Sequence, residues 1–234
     1  IEAYNKALAI KPDYAGPLHT VSALTGITTN TAPRDYVEKL FDEYAEKFDD
    51  SLLNKLEYRT PKIISDLARN LHGTGSMGSI LDLGCGTGLL GVELKKYCSS
   101  LEGVDLSQKM LKQAKNIDVY NKLNHMDIVE YLSKSNLDFD YFMSTDVFVY
   151  VGELSDVFRL IKSRNKRRGK LIFSTEHTEL NGFHLEQSGR YSHSRSYIEA
   201  LCLEFDYYMS HFSIGKLRKE KGQFLSGCLY VLDF

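Results

Sequence analysis

Short apolar runs alternate along most of the chain with stretches whose apolar residues recur every three or four positions. The runs at 79–83, 101–105, 138–144 and 170–175 have the length and bounds of strands. Helical spacing fills the gaps, most plainly at Leu154, Val157, Phe158 and Ile161. Alternating strands and helices predict an α/β, doubly wound, mostly parallel sheet with helices on both faces. The tail breaks the rhythm. Two strand-like runs, 204–214 and 223–233, flank the charged stretch Lys216–Gly222, which predicts an antiparallel edge hairpin.

The first 75 residues read as helices. Residues 1–26 form two short ones, broken at Lys11-Pro12-Asp13, and a Thr-rich linker follows at 27–32. A helix over Pro33–Asp50 carries Val37, Leu40, Phe41, Tyr44, Ala45 and Phe48 on one face, with proline in its first turn. Another has Thr60 as N-cap, core positions Ile63, Ile64, Leu67 and Leu71, and Gly73 as stop. The expected division is a helical segment at 1–30, a lid or extension at 31–75 and the main domain at 76–234. The chain opens at Ile1 already inside helical periodicity, which reads as a fragment with more sequence upstream.

Composition narrows the function classes. Lys and Arg total 29 against 31 Asp and Glu, a formal charge of −2, so no global field draws nucleic acid or membrane. No apolar run reaches the roughly 18 residues of a membrane span. Cys85, Cys98, Cys202 and Cys228 lack metal spacing, which suits reduced thiols in a cytoplasmic protein.

The chemistry concentrates at Ile80-Leu81-Asp82-Leu83-Gly84-Cys85-Gly86-Thr87-Gly88-Leu89-Leu90, an apolar strand running into a glycine turn that opens a helix over Leu89–Tyr97. Glycines admit a ligand close to the backbone, and the helix start offers N–H groups to a carboxylate. Glycines at 84, 86 and 88, with Leu89 next, do not give the Gly-x-Gly-x-x-Gly of dinucleotide binders, so a nicotinamide oxidoreductase is disfavoured. Asp82 suits a cationic aminoacyl group better than a pyrophosphate. Asp105, 21 residues after Gly84 in Leu101-Glu102-Gly103-Val104-Asp105, is placed to accept ribose hydroxyls at the end of the next strand.

With these residues the chain resembles the class I S-adenosylmethionine-dependent methyltransferases over residues 79–177. The resemblance implies a seven-stranded Rossmann-like sheet and S-adenosylmethionine as cofactor, leaving S-adenosylhomocysteine as product. It implies that Tyr44, Asp82, Gly84, Cys85, Gly86, Asp105, Leu106, Asp127, Ile128 and Asp146 hold that cofactor. Asp127 would accept from the adenine amino group, although an Asp before a helix is equally an N-cap. Asp146 would lie near the donor methionine, with Tyr150 close to the transferred methyl; the helix Pro33–Asp50 would cover the open sheet edge, with Tyr44 over the cofactor and Arg59 at the pocket's margin, unless that helix is purely structural. The stretch Ala3–Pro12 is similar to a tetratricopeptide helix, with Ala3 and Ala7 small for packing and Tyr4 and Leu8 filling a groove; an ordinary amphipathic helix reads the same way. Together with residues 33–62 and Gly189–Ser194, this resembles bacterial methyltransferases with an N-terminal tetratricopeptide region, which implies a protein partner there.

The acceptor is less legible. Thr145-Asp146-Val147-Phe148 lacks the Asn/Asp-Pro-Pro-Tyr/Phe motif of exocyclic-amine methylation. The basic stretch Lys162–Lys170 has no interleaved aromatics, so a solvated helix end is expected rather than a nucleic-acid patch. His193 is the candidate general base, beside Arg190 and Tyr191, unless it merely precedes the next helix; Glu176 and His177 are rivals. A small-molecule acceptor with an oxygen nucleophile is favoured. A protein or RNA acceptor and a non-catalytic cofactor-binding scaffold are the alternatives.

Overall fold

The computed structural model describes residues 1–50, 56–220 and 222–234. Among these residues, five helical segments precede the sheet: α1 (Glu2–Ile10), α2 (Ala15–Thr25), α3 (Arg34–Tyr44), the single turn α4 (Phe48–Asp50) and α5 (Thr60–His72). Residues 51–55 of the expected lid lie outside the described residues. Alternation then follows as read from the pattern: β1 (Ser79–Leu83), α6 (Leu89–Leu94), β2 (Ser100–Asp105), α7 (Gln108–Ile117), β3 (Lys122–His125), α8 (Ile128–Lys134), β4 (Tyr141–Ser144), α9 (Ser155–Arg164) and β5 (Lys170–His177). The chain closes with β6 (Phe183–Leu185), β7 (Tyr191–His193), α10 (Arg195–Phe205), β8 (Tyr208–Glu220) and β9 (Gln223–Asp233).

Strands β3-β2-β1-β4-β5 are parallel neighbours in that order, β9 runs antiparallel to β5, and β8 antiparallel to β9. These seven are the expected sheet. A small ribbon is added: β6 pairs β7, and β7 pairs the end of β5 at Glu176 and His177. The central strands β1, β4 and β5 are buried along nearly their whole length because both faces are covered. Leu81, Phe142 and Leu171 face α8, α9 and α10, while Ile80, Met143 and Ile172 face α5 and α6.

Three expectations about the N-terminal helices change. The helix expected over Pro33–Asp50 breaks after Tyr44, where the Lys47 N–H turns back to the Tyr44 carbonyl at 3.0 Å. Helix α5 packs on Pro61, Ile64, Ser65 and Ala68, and turns Ile63 and Leu71 outward. Helix α1 buries nothing fully, and Tyr4, expected in a groove, is exposed. None of the described helices is long and apolar enough to cross a membrane.

Candidate active site

In parallel sheets of this kind ligands sit beyond the carboxyl ends of the strands, where the order reverses. Here β1 is that point, with β2 on one side and β4 on the other. A cavity of about 570 Å³ opens there, floored by the Gly84–Thr87 turn and roofed by α3 and α4. Helix α3 presents Tyr36, Val37, Leu40, Phe41 and Tyr44 to it. That explains why a strongly two-faced helix buries none of its residues completely: its apolar face fronts open space.

The roof is tied down by its acids. Asp42 Oδ1 accepts from Ser107 Oγ at 2.6 Å and from the Lys109 N–H at 3.2 Å, and Asp49 Oδ1 accepts from Thr87 Oγ1 at 2.6 Å. Arg34 reaches Glu130 at 3.2 Å. Tyr44 lines the cavity as expected, whereas the exposed Arg59 is not among its lining residues.

The floor depends on glycine. Gly84 has φ 73°, and a Cβ there would sit 2.4 Å from Val147 Cγ2, so the turn lies directly against the chain leaving β4. Gly86 has φ 54° and nothing within 4 Å of a Cβ position, which leaves its backbone open to a ligand. Asp105 ends β2 and accepts from the Gly86 N–H through Oδ2 and from the Ser107 N–H through Oδ1, both at 2.8 Å. Burial pushes the Asp105 carboxyl up, against those two bonds. Asp127 caps α8, its Oδ1 accepting from Val129 N at 2.8 Å and Glu130 N at 3.1 Å, and it also lines the cavity beside Ile128.

Nine of the ten expected cofactor residues therefore surround one space: Tyr44, Gly84, Cys85, Gly86, Asp105, Leu106, Asp127, Ile128 and Asp146. Asp82 does not. It lies fully buried behind the turn, where Oδ2 accepts from the Tyr120 hydroxyl at 2.7 Å and Oδ1 has no partner among the described residues. Burial lifts its carboxyl from the usual 3.8 to about 7, the Tyr120 bond opposing and Asp105 adding to the rise. It supports the turn from below instead of facing an aminoacyl group.

His193 is the larger correction. It sits on β7, fully buried, with Nε2 2.8 Å from the Gly152 carbonyl and 3.1 Å from that of Val151. Its ring packs between Phe183 and Tyr197. Burial pushes the imidazole down to about 4, although the two carbonyls work against this. Neither His193 nor Tyr191 lines the cavity. The ribbon of β6 and β7, two three-residue strands too short to show a period, seals them into the core. Ser194, next along, caps α10 by accepting from Tyr197 N at 3.1 Å.

What the ribbon does deliver is Arg190. Its Nε donates to Glu176 Oε1 at 2.7 Å, and its Nη2 pairs with Glu220. Glu176 Oε1 also accepts from Arg218 Nη2 at 2.5 Å, and Arg218 Nη1 pairs with Asp146. Arg190, Arg218 and Asp146 line the cavity with Tyr58 and Tyr150; burial raises both phenols, Tyr150 to about 12. Arg218 and Tyr58 were invisible in the sequence. A β-bulge between Lys216 and Arg218 leaves Leu217 unpaired, so two successive residues turn inward where alternation would send one out. Within the basic stretch, Arg167 pairs with Asp138 at 2.5 Å and Asp140 at 3.3 Å, Lys162 with Asp206 at 3.1 Å, and Lys170 with Asp233.

The model of a family described as "Methyltransferase domain" matches residues 75–226, more than half of the chain, and leaves the N-terminal helices without a tetratricopeptide assignment. The ubiquinone biosynthesis O-methyltransferase of Coxiella burnetii (strain Dugway 5J108-111) is 32% identical over 99 residues, 41% of this chain and 42% of that protein. Methyltransferase-like protein 27 of Homo sapiens is 37% identical over 94 residues, 38% of each chain. Each match thus spans about two fifths of the curated relative. Among solved structures, magnesium protoporphyrin IX methyltransferase from Synechocystis PCC 6803, with bound SAH, shares the fold. Its TM-score is 0.63 at 17% identity, covering 85% of this chain and 98% of that one. The chain belongs to the methyltransferase domain family, whose methyl donor is S-adenosylmethionine.

Proposed function

We propose that this domain transfers a methyl group from S-adenosylmethionine to an oxygen atom of a small molecule. The observation that carries the reading is the single cavity in which Asp105 and Asp146 stand on either side of an open glycine turn. The fit has two independent supports: the clear space above Gly86, and the buried Asp146 Oδ1, which has no partner among the described residues. When bound, S-adenosylmethionine supplies an electrophilic methyl on a sulfonium. Asp105 would hold the ribose, Asp127 and Ile128 the adenine edge, and Gly84–Gly86 the chain leading away from it. Phe41, Tyr44 and Phe48 shed water from above.

Among the described residues lining the cavity there is no histidine, and an acceptor oxygen that arrives ionised, as a carboxylate or an acidic phenol, suits that lining. Such an acceptor needs alignment with the sulfonium more than proton removal. Tyr58 and Tyr150 line the same cavity, Tyr58 near Arg218 and Tyr150 near both Arg190 and Arg218. The pairing of Arg167 with Asp138 and Asp140 weakens the nucleic-acid alternative. The exposed Tyr4, Ile10 and Leu18 of α1 and α2 suit a protein partner.

The test is a calorimetric titration with S-adenosylhomocysteine and NADH, followed by transfer of radiolabelled methyl to panels of carboxylic acids, phenols, amines, RNA and protein. Saturable S-adenosylhomocysteine binding, no NADH binding and label in the acid or phenol panel are expected. Label confined to amines, RNA or protein would refute the oxygen assignment, and cofactor binding without any transfer would favour the scaffold.

A further inference from the structure

Strands β2, β1 and β4 lie side by side and parallel, so Asp105, Gly84 and Asp146 follow one another along the carboxyl edge of the sheet. At about 4.8 Å per strand, Asp105 and Asp146 stand roughly 10 Å apart across Gly84. The donor assignment above, on which this inference rests, puts the ribose at Asp105. The rest of the donor then crosses Gly84 and brings its amino-acid end to Asp146.

Asp146 is built to meet a cation. Its backbone holds φ 60°, a left-handed conformation that a residue with a side chain seldom adopts, and its N–H is tied to Ser174 Oγ at 2.9 Å. One carboxylate oxygen pairs with Arg218; the other, Oδ1, is out of water and without a partner among the described residues. An unpaired buried carboxylate oxygen is costly, and the missing donor is what an ammonium would supply.

The aim of that oxygen is set from the other end of the chain. Arg218 reaches Asp146 because the bulge at Leu217 turns it inward, and Gly227 makes room for the bulge: a Cβ there would sit 2.1 Å from Leu217 Cδ1. The second branch of the guanidinium is held by Glu176, itself bound by Arg190. A planar fork gripped at both ends by carboxylates has little freedom to rotate. We propose that Arg218 is a positioning residue that holds Asp146 Oδ1 for the α-ammonium of the donor, so that the C-terminal hairpin governs recognition of the donor's amino-acid end.

Two ligands isolate this role. S-adenosylhomocysteine carries the amino-acid end; 5′-methylthioadenosine has the same nucleoside and thioether without it. Calorimetry on the full chain should show Arg218→Met and Asp146→Asn weakening S-adenosylhomocysteine at least tenfold, with 5′-methylthioadenosine held within twofold. Arg218→Lys keeps the charge but not the fork and should fall between Arg218→Met and wild type; it decides the matter if Arg218→Met does not fold. Parallel losses for both ligands would reduce Arg218 to a structural role and overturn the proposal, as would an undiminished S-adenosylhomocysteine affinity. Failure of the wild type to bind either ligand would instead refute the donor assignment itself.

Discussion

Asp82→Asn isolates the cost of burying an acid beneath the glycine turn. Below about pH 4 the carboxyl is neutral in both the folded and the unfolded chain and contributes nothing. Between about pH 4 and 7 the unfolded chain releases the proton while the folded chain, with its carboxyl raised to about 7, retains it. Stability is therefore lost as pH rises through this window, and the loss is complete above it. The whole gap corresponds to about 4 kcal/mol, of which about 3 kcal/mol falls between pH 5 and 8. Asparagine keeps the shape, still accepts from the Tyr120 hydroxyl, and does not titrate. For a chain of this size 1 kcal/mol moves Tm by about 2–4 °C, so the Tm of the variant should gain on wild type by roughly 6–12 °C as pH goes from 5 to 8. Scanning calorimetry at four pH values checks it, and the subtraction removes groups that titrate alike in both proteins. An offset that stays constant across the range would show that Asp82 is already ionised in the fold and refute the reasoning.

Asp105→Asn should weaken S-adenosylhomocysteine by about 1–3 kcal/mol, the value of a charged acceptor on a hydroxyl pair, and calorimetry reads it directly. Gly84→Ala forces a side chain into φ 73° and against Val147, so it should cost about 2–5 kcal/mol in urea unfolding and abolish ligand binding. Replacing Lys166, Arg167 and Arg168 with Glu removes the exposed pairing to Asp138 and Asp140. It should lower Tm slightly and leave S-adenosylhomocysteine affinity within twofold; a joint loss of RNA binding and methyl transfer would revive the nucleic-acid reading.

The parts of the site legible in the sequence are those whose signal is local. Gly84 and Gly86 announce themselves because strand end and turn adjoin, and Asp105 because it ends the next apolar run, 21 residues after Gly84. The central strands were legible for a related reason, since strands covered on both faces carry apolar runs. Residues joined only by the fold were not. Tyr120 meets Asp82 across 38 positions, and Arg218 meets Asp146 across 72. The polar β3, Lys122-Leu123-Asn124-His125, lies at the sheet's edge beside β2 alone and never shows a strand's pattern. His193 misled because its type suits a base, and only the ribbon's pairing reveals that it is sealed. The N-terminal helices were read correctly as helices, but the faces they bury depend on partners the periodicity does not name.

The ties between roof and floor carry a kinetic meaning. Ser107 gives its hydroxyl to Asp42 on the roof and its N–H to Asp105 on the floor, so one residue joins the lid to the carboxylate expected to hold the nucleoside. Asp49 on Thr87 is a second tie between roof and floor. Were both ties to hold over a nucleoside on Asp105, they would have to open before the spent donor left, and release rather than transfer would be the slow step of the cycle. Such a cycle would show a burst of methylated product in the first turnover, followed by a slower steady rate.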